Sequence, residues 1–153
     1  MQDKLLQLIS EGKIKGYDSR PQKIETTQSF VFIYKDIKKV LKVYRRDNEY
    51  WNKNFVDLSK GSIRSDFIKQ DFEWNNYFDP EVYLELMQYS GGSELQKYDG
   101  TTDELIIAMS LIDTHNFLVP LLFANRLVDK DFYTIGKHFT EIKLGLNKKL
   151  IST

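Results

Sequence analysis

The stretch DFEWNNYFDPEVYLEL, residues 71–86, puts a carboxylate where an amphipathic helix ordinarily keeps hydrocarbon. At 3.6 residues per turn Phe67, Trp74, Asn75 and Phe78 share a face, Asp71 falls near its centre and Glu73 points away. An unpaired carboxylate is costly to bury. The spacing therefore leaves two placements: a cation meets Asp71 inside, or the helix keeps this position at a partly solvated edge. The chain also carries the basic run Lys38, Lys39, Lys42, Arg45 and Arg46, interrupted by Val40, Leu41 and Val43. That alternation reads as one solvated strand face, with a nucleic-acid surface as the lesser alternative.

Other groups offer less chemistry. Asp129, Asp131 and Glu141 could be a carboxylate metal set, but acids that open a helix are ordinary caps and partners of its dipole. His115 and His138 are the only histidines and neither sits in a metal or triad motif. The chain has no cysteine, which excludes disulfides, thiolate zinc sites and cysteine nucleophiles and fits a reducing compartment. Tyr50, Trp51 and Phe55 read as loop anchors that pack on a sheet, with base stacking as the alternative.

Twenty-two basic residues balance twenty-two acidic ones in 153, so no net field calls for nucleic acid or an anionic membrane. The start, MQDKLLQLISEGKIKGY, has no basic patch followed by a long apolar run, and LIIAM and FLVPLLFA fall short of a membrane span. The expectation is a cytoplasmic protein with no leader, no membrane partner and no nucleic-acid partner.

Elements able to position Asp71 can be read from periodicity and punctuation. Residues 3–11 form a short helix stopped by Gly12 and Gly16. IETTQSFVFIYKD and IKKVLKVYRRD are two strands of a hairpin that turns at Lys35-Asp36. Residues 45–61 are a long connection, after which Ser62 or Ser65 caps a helix running to about Tyr77 and closed by Asp79-Pro80. EVYLELMQYS alternates as a strand, SGGS turns, Leu95 to Tyr98 return, and DELIIAMSLI is a buried strand. Residues 115–126 are helical around Pro120, and a last helix begins at Asp129 or Asp131, with Phe132, Ile135, Phe139, Ile142 and Leu146 at spacings of three and four. The class is α+β: an antiparallel sheet of about five strands with one inserted helix, over residues 1–110, and a helical part over 111–153.

This order, with particular residues, resembles the N-terminal part of the aminoglycoside-phosphotransferase-like predicted kinases, those whose kinase-like domain is often followed by a P-loop ATP-binding domain. FVDLSKGSIRSDFIKQDFEWNNYFDPEVYLEL carries most of the likeness, through Phe55, Asp57, Ser59, Arg64, Asn75, Pro80, Tyr83 and Leu84. ETTQSFVFIY is similar to the family's phosphate-side loop and strand, VLKVY puts Lys42 at its nucleotide-binding lysine, and LIIAM is similar to the strand leading to the hinge. The family's acid, four residues before the Asn, falls on Asp71.

The resemblance implies a protein-kinase-like N-lobe followed by the first helices of an incomplete C-lobe. It implies ATP as cofactor, met by Lys42 and Asp71, by the loop of Thr26 and Ser29, and by the hinge at Ala108, Met109 and Ser110. Aspartate in place of the family's glutamate shortens the reach by one methylene, so a longer or water-bridged Lys42–Asp71 contact is expected. The loop carries no glycine. Nothing resembling His-Gly-Asp followed by Asn occurs, so the chain by itself is expected neither to hold Mg²⁺ nor to transfer phosphate. The alternative is a non-catalytic interaction module that keeps this fold and meets a protein partner, or a second copy of itself, through its final helices.

Overall fold

The computed structural model describes residues 1–102, 104–113, 121 and 123–151, with side chains described as far as residue 145. It divides into two units, Met1–Ile112 and Asp113–Thr153. The first holds α1 (Gln2–Ser10), β1 (Gln22–Glu25), β2 (Ser29–Tyr34), β3 (Lys39–Tyr44), α2 (Glu49–Asn54), α3 (Gly61–Phe78), β4 (Tyr83–Gln88), β5 (Gln96–Lys97) and β6 (Leu105–Ser110). The second holds α4 (Asp129–Ile151), on which Phe132, Ile135, Phe139 and Ile142 recur as expected. Most of the helix expected over 115–126 lies outside the described residues.

All strands pair antiparallel in the order β1-β2-β3-β6-β4-β5. Among the described residues there are six strands and not five, because the run from Ile24 to Tyr34 is two strands. Thr26 and Thr27 look like strand residues, yet Thr26 Oγ1 accepts the Ser29 N–H at 2.9 Å and closes a turn between them. The connection over 45–61 also contains α2, whose first turn is capped by Asn48 Oδ1 accepting from the Trp51 N–H at 2.9 Å.

Each face of the sheet has its own core. On β3, Leu41 and Val43 face α1, joining Leu5, Ile9, Phe30, Phe32, Ile106 and Ala108. Tyr44 faces the other way with Leu105 and Ile107, where Ile68 of α3 and Leu58 close the second core. Gly12 stops α1 at φ +67°, and a Cβ there would lie 2.9 Å from the Asp18 carbonyl, so only glycine fits.

α3 begins at Gly61 after Lys60, without a serine cap; the Ser65 hydroxyl instead donates to the Ser62 carbonyl. Pro80 ends it as expected, after Asp79. Its buried stripe differs from the expected one. Arg64 and Ile68 lie fully inside, whereas Trp74 and Phe78 are 54% and 40% exposed. Long-range charge explains the rotation. Glu104, with 0% exposure, takes Arg64 Nη1 at 3.0 Å and Gln2 Nε2 at 3.1 Å on Oε1, and Arg46 Nη2 at 3.0 Å on Oε2.

Removing one member of a buried pair strands the other charge, which costs about 3–5 kcal/mol. Glu104→Ala is expected to lose that much in urea unfolding. A loss under about 1 kcal/mol would mean that this cluster does not hold α3.

Candidate functional site

Lys42 sits at the middle of β3, paired with Val31 on β2 and Ile107 on β6. Period-2 alternation turns its side chain toward α3, as it does that of Tyr44. Its Nζ donates to Asp71 Oδ2 at 3.1 Å. The contact is direct, so the missing methylene has not lengthened it into a bridged pair. Both side chains keep some solvent access, 19% for Lys42 and 23% for Asp71. The helix rotation set by Arg64 thus leaves Asp71 at the border of the buried stripe and still within reach of a cation, combining the two placements its sequence position allowed.

Two further donors meet the same carboxylate. The Tyr44 hydroxyl donates to Oδ2 at 2.8 Å, and Asn75 Nδ2 donates to Oδ1 at 3.1 Å and to the Asp71 carbonyl at 2.7 Å. The Lys42 ammonium also lies 4.6 Å from the centre of the Tyr44 ring, within cation–π range. Burial pushes the Tyr44 hydroxyl above its ordinary pKa, reinforced by the charge of Asp71 and by the hydrogen bond to it. Tyr83 is raised too, first by burial and then by Asp71 and Asp79.

Around the pair the sheet offers an apolar floor. One cross-strand row runs Ile24, Val31, Lys42, Ile107, Leu86, and the next runs Gln22, Ile33, Val40, Met109, Tyr83. α3 packs toward the Ile107 and Leu86 end, while Val31 and Ile33 are only half buried and Ile24 is exposed.

The other residues assigned from the sequence are placed less directly. Ser29 pairs with Tyr44 and so neighbours the Lys42 row, but its hydroxyl lies 3.1 Å from that of Thr26, and the two are occupied within the turn. Arg45 and Asn48 hold that turn from outside, through the carbonyls of Thr26, Thr27 and Gln28. Of the hinge residues, Met109 shares the Lys42 face, whereas Ala108 belongs to the α1 core. The N–H groups of Ser110 and Leu111 are taken by Val82 and Lys38 carbonyls, and the Ser110 hydroxyl by that of Glu81.

The basic run is not one solvated face. Lys39 and Lys42 fall on opposite faces of β3, Arg45 pairs with Asp47, and Arg46 binds the buried Glu104. Of the three expected aromatic anchors only Trp51 packs into the second core; Tyr50 and Phe55 are exposed. At the start of α4, Asp131 Oδ2 accepts the Val128 N–H at 2.9 Å, a capping contact, and Glu141 pairs with Lys137. Among the described residues no three acids or histidines gather as metal ligands.

Sequence reasoning missed Tyr44, Gln2 and Glu104. Tyr44 had a readable signal, its place two residues from Lys42 on the same strand face. Comparison with protein-family models, with curated proteins and with solved structures found no match to this chain.

A tyrosine whose pKa is raised on folding contributes stability that is complete below its unfolded value, near 10, and is lost as pH rises toward the folded value. Urea midpoints are therefore expected to fall between pH 9 and pH 11, and to fall less in Tyr44→Phe. An equal fall in both proteins would assign the alkaline loss to other groups.

Proposed function

We propose that this chain is the nucleotide-facing lobe of a phosphotransferase-like protein, in which Lys42 meets phosphate oxygens of ATP and Asp71 orients it. The observation that carries the reading is the direct 3.1 Å contact between a lysine on the third strand and an acid on the long helix inserted before β4. In kinases such a pair aligns the α and β phosphates. The strand order supports it, since β6 lies beside β3 and brings Met109 and the following backbone to the edge of the Lys42 floor.

The reading is restricted to binding. Phosphoryl transfer also requires a catalytic-loop aspartate and acids for Mg²⁺, and the 153 residues hold no such His-Gly-Asp and Asn arrangement. Among the described residues no helix is long and apolar enough to cross a membrane.

A second reading, an interaction module that pairs with a protein or with its own copy, is favoured by one observation. On α4, Phe132 and Phe139 are 52% and 66% exposed and Tyr133 is 75% exposed, a concentration of aromatic surface typical of partner sites.

Thermal unfolding with Mg·ATP separates the two. A ligand bound only by the folded state, at a hundredfold over its Kd, adds about 2.7 kcal/mol and so raises Tm by roughly 5–10 °C. The expected result is a dose-dependent rise that Lys42→Ala abolishes. No rise at millimolar nucleotide, with a concentration-dependent dimer lost in Phe132→Glu/Phe139→Glu, would replace the first reading by the second.

A further inference from the structure

Asp71 is one methylene shorter than a glutamate, yet both oxygens of its carboxylate have partners. Lys42 supplies only one of its contacts. The Tyr44 hydroxyl shares Oδ2 with the ammonium, and Asn75, one helical turn on, takes Oδ1. We propose that Tyr44 is a positioning residue of this site: with Asn75 it holds the Asp71 carboxylate in place independently of Lys42, leaving Lys42 able to turn to an anionic ligand. The inference rests on reading Lys42 as the anion-binding group.

Three features make Tyr44 a fixed support. Its ring is buried to 1% exposure and packs edge-on against Phe67 of α3, with centroids 5.4 Å apart. Its backbone carbonyl accepts Gln2 Nε2 at 2.9 Å and its strand position is paired with Ser29, so main chain and ring are both anchored. Its hydroxyl stays protonated, since burial and the neighbouring carboxylate both oppose the phenolate. A neutral, permanently donating group on a rigid ring holds an acid without competing for a ligand's negative charge.

Lys42 has the opposite properties. Its four-carbon stem is flexible, its ammonium has three N–H donors, and Asp71 takes one of them. When the ammonium swings toward an anion, a carboxylate held by lysine alone would be left unpaired in a half-buried place. Here it keeps two donors.

The test begins without nucleotide, on the full chain labelled with ¹³C and ¹⁵N. Three-bond couplings to the Asp71 Cγ report its χ1 rotamer. A single rotamer is expected in the native protein and in Lys42→Ala, and rotamer averaging in Tyr44→Phe. Asp71 remaining in one rotamer in Tyr44→Phe, or averaging as fully in Lys42→Ala as there, would overturn the proposal.

A second arm uses Mg·ATP affinity. Tyr44→Phe is expected to weaken it about tenfold, the size of one charge-assisted hydrogen bond. In Asp71→Glu, whose longer side chain reaches β3 unaided, the same change is expected to cost less than about twofold. An equal loss in both backgrounds would show Tyr44 acting through general packing and would also overturn the proposal. If the native protein binds no Mg·ATP, the nucleotide reading and the release of Lys42 both fall, while the rotamers still decide what holds Asp71.

Discussion

A carboxylate with no solvent exposure is the constraint on which this architecture turns. Glu104 leads into the buried strand β6, and two arginines and a glutamine from three other segments converge on it. Those segments are α1, the residues after β3, and α3. The competition it wins is visible on α3. Rotating that helix to bury the exposed parts of Trp74 and Phe78 would gain about 2–3 kcal/mol, taking roughly half of a full aromatic burial for each. It would also draw Arg64 away from Glu104, and breaking such a pair costs about 3–5 kcal/mol. The aromatics stay outside, and stack on each other with centroids 6.2 Å apart.

The two faces of the sheet consequently differ in kind. The α1 side is closed by aliphatic and aromatic residues throughout, and its contribution is stability. The α3 side is closed only where α3 and the residues after α2 lie, and it carries Lys42 and Tyr44 of β3. Strand alternation alone decides which residues land there: Leu41 and Val43 go to one side, Lys42 and Tyr44 to the other. The Lys42–Asp71 pair therefore lies on the half-covered face, beside an apolar row that reaches β1 and β2.

Much of this was legible in the sequence where the signal is local. Alternation gave the strands β3 and β4, a continuous apolar run gave β6, Pro80 marked the end of α3, and the placement of a lysine on a strand and an acid on a helix could be named in advance. What escaped depends on partners far along the chain or on side chains with two roles. Thr26 and Thr27 are β-branched, so periodicity alone carries one strand through them, although the resemblance puts a loop there and the Thr26 hydroxyl closes a turn with Ser29. α2 has six residues, too few for a helical period to stand out. The buried stripe of α3 was misjudged because apolarity was counted and Arg64 was not, although its partner Glu104 lies forty residues on. Arg46 looked like surface for the same reason.

Tyr44 joins the constraint to the candidate site. Its carbonyl accepts from Gln2, the side chain that also donates to Glu104, and its hydroxyl donates to Asp71. The buried acid and the half-exposed acid are therefore linked through one residue of β3 as well as through the body of α3. The two acids have different partners for a physical reason. Glu104 has no water to share its charge, so it takes two guanidiniums, whose fixed charge does not titrate. Asp71 is partly open to solvent, so neutral donors from Tyr44 and Asn75 suffice for most of its hydrogen bonding and a single ammonium supplies the charge. An acid wholly enclosed by arginines can only hold a structure together. One held by neutral groups, with a flexible cation beside it, keeps the cation available for chemistry.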